Sequence, residues 1–84
     1  MSYTEYSVIA ETFPRIHGDV TYYAAKYADA DKNYERDHNY ADLLTKASAH
    51  AFLHGVACTM VALKAISNGS EYINTAIEKA RARA

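Results

Sequence analysis

Three side chains near the middle of the chain could do metal or nucleophile chemistry. His50, His54 and Cys58 are spaced four apart, so on a helix they line one side, drifting by about 40° per step. Two His at i and i+4 can hold Zn²⁺ or Cu²⁺, and a Cys at i+8 is a candidate third ligand. All three would span about 12 Å along the axis, too far for one ion without a kink at Gly55. The metalloprotease pattern His-Glu-x-x-His is absent, because Ala51 stands where the Glu is needed. What remains is a bundle in which His50 and His54 share a metal with a carboxylate from another helix. Against it stands the plainer reading of histidines hydrogen-bonded in a core or interface. Haem ligation through the same histidines needs a wide apolar groove that the sequence does not show. The primary expectation is no metal and no cofactor.

Other chemistry fares no better. Cys58 and His54 make a Cys-His pair one turn apart, but a thiol inside an apolar run is expected to be a buried small hydrophobe, out of reach of substrate. Asp29, Asp31 and Asn33 match positions one, three and five of a calcium loop, yet Tyr34 replaces its Gly and Tyr40 its bidentate Glu. No Gly-rich phosphate loop occurs, and an enzyme is not expected. Tyr22, Tyr23, Lys26 and Tyr27 could stack on bases and meet a phosphate, with Arg15 and Arg36 adding charge. An oligomer sequestering a small nucleotide is therefore kept as an alternative.

Composition narrows the class. Eighty-four residues make one domain, half of them apolar. Nine basic residues against ten acidic ones give no pull toward nucleic acid or membrane. One Cys excludes an internal disulfide, and polar residues follow Met1, so a cytoplasmic setting is expected. Eight Tyr with no Trp point to rings at half-wet surfaces.

The elements that position these residues are helical. The stretch 40–67 holds no Pro and no turn cluster. A stripe spaced 4, 3, 4, 3 runs through Tyr40, Leu44, Ala47, Ala51, His54, Cys58, Val61 and Ala65, which is a heptad seam. Phe52, Val56, Leu63 and Ile66 form a second row, and Leu53, Ala57 and Met60 a third. A helix apolar on every side is expected to be buried on every side. Small residues at Ala47, Ala51, Gly55 and Thr59 suit a closely crossing helix. A 28-residue helix would reach about 42 Å, longer than a compact chain of this size, so one end protrudes or the particle holds more than one chain. Asp42 and Lys46 stand in the favourable i, i+4 order.

Around it, Ser2 and Glu5 fit a capping box for a first helix to about Thr12, with Tyr6, Ile9, Ala10 and Phe13 apolar. Pro14 marks a break, and Pro14 to Gly18 reads as a connector. Asp19 is the expected cap of a second helix bearing Val20, Tyr23, Tyr27, Ala30 and Tyr34, fading between Asp29 and Asn33. Asn39 with Asp42 resembles a capping pair for the central helix; merger of the two helices is the alternative. Asn68-Gly69 reads as the central helix's stop, with Gly69 left-handed. Ser70 then caps a last helix with Tyr72, Ile73, Ala76, Ile77 and Ala80 inside.

The reading is an all-α bundle of three or four helices around residues 40–67, a homo-oligomer, most simply a dimer. Its interface is placed at Ala47, Ala51, His54, Gly55 and Cys58. The function expected is non-catalytic binding of another protein through Tyr22, Tyr23, Lys26, Tyr27, Tyr34 and Arg36, as an adaptor or inhibitor, virus-encoded inhibitors of host systems included.

Overall fold

The structure is a computed structural model that describes residues 2–83, with side chains from Tyr6 onward. The Ser2–Glu5 capping pair lies outside the described side chains. Four helices follow in order: α1 (Ser2–Thr12), α2 (Pro14–Asp37), α3 (Tyr40–Ala62) and α4 (Gly69–Arg83). No strand occurs among the described residues.

Pro14 starts a helix rather than a connector. It sits at the first helical position, where its missing N–H is not needed and its fixed φ already suits the helix. Residues 15–18 are therefore helical, and Asp19 lies inside α2 instead of capping it. Phe13 alone joins α1 to α2; its N–H donates to the Ile9 carbonyl and its carbonyl accepts from His17.

At its far end α2 continues through the Asp-rich stretch to Asp37. His38 then turns left-handed at φ 55°. Asn39 caps α3, its side-chain oxygen accepting from the Ala41 N–H at 2.8 Å. The two helices are thus separate, as the Asn39 signal predicts.

The end of α3 corrects the expected boundary. Lys64 at φ 61° stops it, with Ala65 N–H donating to Met60 and Lys64 N–H to Val61. This double bond pattern is a Schellman closure. The helix has 23 residues and spans about 35 Å, within the molecule's 39 Å long axis. At this length α3 fits within a single chain, and neither a protruding end nor a second chain is needed to accommodate it. Gly69 is not left-handed, and Ser70 is not the cap; Asn68 accepts from the Glu71 N–H. Gly69 has another reason to be glycine: a Cβ there would lie 3.3 Å from Ala57 Cβ, so α4 enters hard against α3.

The core comes from one stripe per helix. Val20, Ala24 and Ala28 of α2 meet Leu53, Ala57 and Met60 of α3 and Tyr72, Ile73, Ala76, Ile77 and Ala80 of α4. The α4 stripe is the predicted one. Tyr6 and Ile9 hold α1 against α2 and α4; α1 does not reach α3. Asp31 ties the three longer helices together, accepting from Lys46 of α3 at 2.6 Å and Arg81 of α4 at 3.1 Å. Lys46 takes Asp31 as its partner in place of the expected Asp42.

Candidate functional site

Because α1 packs on α2 and α4, one flank of α3 has no helix against it among the described residues. Burial on every side is not what the chain achieves: Leu53, Ala57 and Met60 are buried, Phe52 and Val56 half-buried, and the heptad seam is outside. From Tyr40 (69 % exposed) and Leu44 (51 %) through Ala47, Ala51, His54 and Cys58 to Val61 (39 %), every helical seam residue is exposed. The five residues assigned to an oligomer interface, Ala47, Ala51, His54, Gly55 and Cys58, all lie on this flank. Cys58 is a surface thiol, so its expected burial is corrected.

Two hollows border the flank. The larger, about 600 Å³, is floored by Phe52, Val56 and Met60 and walled by Phe13 at the α1–α2 joint, Ile16 of α2 and Leu63. Ala51, Gly55 and Thr59 form its open edge, and Asp19 is the one charged side chain among its described lining residues. Gly55 is open as well: a Cβ built there meets nothing within 4 Å. A helix-interior Gly costs about 1 kcal/mol relative to Ala, and nothing in this chain's packing requires it. The smaller hollow, about 430 Å³, runs between His54, Cys58 and Val61 and the start of α4. Phe13, Ile16 and Leu63 were missed by the sequence reading. Ile16 fell in the supposed connector, Phe13 among the apolar residues of the first helix, and Leu63 in the supposed helix interior.

The histidines sit on the same flank. The His50 and His54 rings stack with centroids 6.3 Å apart, and His50 tilts toward Tyr27 at 5.9 Å. His54 Nε2 lies 3.4 Å from Cys58 Sγ. Among the described residues no three His, Cys, Asp or Glu side chains converge as a metal set, so no carboxylate joins His50 and His54.

The tyrosines expected to bind a partner do not share one surface. Tyr23 stacks on Phe52 at 4.1 Å, inside the α2–α3 contact. Tyr27 lies under the Lys46 ammonium and beside His50. Tyr22 is 56 % exposed, edge-on to Tyr23, with Lys26 over its ring. Tyr34 and Arg36 stand further along α2, Tyr34 against His38 and Arg36 paired with Asp37 at 2.9 Å.

Charge on the bundle is placed where it stabilises the fold. The Lys46 ammonium beside Asp31 holds its carboxyl below the usual range, and Arg81 adds to this against the opposing effect of burial. Lys46 is raised in turn by the same contact. Burial, with Tyr6 nearby, pushes the Tyr72 phenol up to about 12. No helix among the described residues is long and apolar enough to cross a membrane. Comparison of the chain with models of known protein families, with curated proteins and with solved structures found no match.

Proposed function

We propose that the chain is a non-catalytic, protein-binding helical module that works as a homodimer joined along the open flank of α3. The observation that carries this reading is the exposed heptad seam from Tyr40 to Val61. A period of 3.5 residues is the pattern that lets two helices stay in register, and a single chain gives this one no partner. An isologous pair satisfies both copies with one surface. The open Gly55 and the apolar hollow beside it supply close approach and area. A standard interface needs about 800 Å² per partner, a modest fraction of the chain's 5359 Å².

The same reading gives the outer face of α2 to a different protein, with Tyr22 and Lys26 as its anchor, in an adaptor or inhibitor role. Tyr22 presents the open ring, whereas Tyr23 and Tyr27 are engaged with α3, which weighs against stacking of nucleotide bases. A reducing compartment such as the cytoplasm suits a surface thiol.

Sedimentation velocity at micromolar concentration tests the dimer. The wild type is expected as two chains, and Ala51→Glu, which places a carboxylate on the seam, as one folded chain. A wild type that sediments as a single folded chain across the micromolar range refutes the reading.

A further inference from the structure

On the open flank His54 and Cys58 bring a borderline and a soft metal ligand side by side. A tetrahedral zinc site has Zn–S near 2.3 Å and Zn–N near 2.0–2.1 Å, so adjacent S and N ligands lie about 3.5 Å apart. His54 Nε2 and Cys58 Sγ are 3.4 Å apart. One helical turn has therefore already set two ligands at the spacing of one ion. Both side chains are exposed and border the smaller hollow, which leaves an ion held there open to ligands from a second chain. No third ligand from the same chain is near, among the described residues.

A two-fold axis beside the pair supplies what is missing. An ion on such an axis receives two ligands from each copy, giving the two-nitrogen, two-sulfur set that selects zinc. The seam fits this placement. An antiparallel pairing centred between residues 54 and 58 sets His54 beside the partner's Cys58 and Ala51 against the partner's Val61. We propose that His54 and Cys58 of two copies together bind one Zn²⁺ at the centre of the α3–α3 interface, so that zinc controls assembly. This rests on the dimer reading and adds its regulation. Each thiol gives its proton to solvent as Zn–S forms, and each imidazole donates its Nε2 lone pair. Two protons leave per ion, and no electron moves. His50, stacked on the His54 ring, steadies that ring and is not a ligand.

The test is sedimentation of the untagged full chain in a non-thiol reductant, with EDTA or with ZnCl₂, alongside metal analysis. One zinc per two chains is expected. If zinc binds the dimer alone, a concentration about 100 times its dissociation constant tightens the dimer about 100-fold. Cys58→Ser and His54→Ala are expected to keep their helical circular dichroism and lose this zinc response; His50→Ala is expected to keep it. Cobalt in place of zinc should give tetrahedral d–d bands with a thiolate charge-transfer band, both lost in Cys58→Ser. One zinc per chain without association overturns the proposal, as does a zinc response that survives Cys58→Ser. A dimer equally tight in EDTA overturns the zinc role and leaves the dimer reading standing. A single chain in both buffers overturns the two together.

Discussion

Replacing Gly55 by Ala pulls the fold and the assembly in opposite directions. In the isolated chain the new methyl meets no atom within 4 Å, so no clash offsets the gain in helix propensity. That gain is about 1 kcal/mol. For a domain of this size it raises Tm by about 4–8 °C. In the dimer the same methyl enters from both copies where two backbones come close. Overpacking of this kind costs about 1–3 kcal/mol, and each 1.4 kcal/mol loosens the dimer about tenfold. Thermal and urea unfolding across a concentration series, with sedimentation in parallel, separates the two effects. At high dilution Gly55→Ala is expected to be the more stable protein. At high concentration its advantage is expected to shrink or reverse, because the wild type gains from association. If the variant is more stable at every concentration and associates as tightly as the wild type, Gly55 is outside any contact and the reasoning fails. If it is less stable when dilute, the flank is not open.

Asp31→Ala removes the carboxylate that joins α2, α3 and α4 and leaves Lys46, only 28 % exposed, without its partner. A charge-assisted bond of this kind, discounted for the exposed Arg81, is worth about 1–2 kcal/mol in urea unfolding. Its pH dependence follows from the lowered carboxyl: the contribution is present above the unfolded Asp value of about 3.9 and is lost as pH falls through the lower folded value. Wild type and Asp31→Ala should therefore converge in acid. Tyr72 is 1 % exposed and its hydroxyl has no hydrogen-bond partner among the described residues. Tyr72→Phe is expected to be neutral or up to about 1 kcal/mol stabilising by calorimetry. The phenol's raised value makes its contribution complete below about pH 10 and lost as pH rises from there toward 12; Tyr72→Phe should lack that alkaline loss. Tyr23→Ala breaks the stack on Phe52 and should cost about 2–3 kcal/mol, whereas the outward Tyr22→Ala should stay within about 0.5 kcal/mol.

Much of the fold was legible where local chemistry and packing agree. The α4 stripe buried as its spacing predicts, and Asn39 capped α3 by the expected mechanism. The errors share a physical cause: residues whose usual role was overridden. Pro14 read as a breaker because Pro before a helix and Pro within a loop look alike in sequence. Lys64 carries no sign of the left-handed conformation it adopts, so the stop moved to the nearest glycine, Gly69, whose real constraint is Ala57 on another helix. Among the site residues, the seam was legible from its period, but its exposure was not. Whether α1 covers α3 depends on where α1 docks, and Tyr6 and Ile9 direct it onto α2 and α4 instead. The adjacency of Phe13 and Leu63 joins residues fifty positions apart, which no local pattern reveals.

The single-residue joint at Phe13 gives α1 a distinct place in the molecule's kinetics. Helices α2, α3 and α4 share a core and the Asp31 clamp, whereas α1 docks through Tyr6 and Ile9, with the Lys79 ammonium of α4 5.5 Å from the centre of the Tyr6 ring. Helix α1 covers Tyr72, whose ring lies 5.6 Å from that of Tyr6. Its amides should exchange with deuterium through a sub-global opening that leaves the other three helices protected. An opening of that kind would uncover the Tyr72 ring on α4, so its rate would set how often that hidden face meets water.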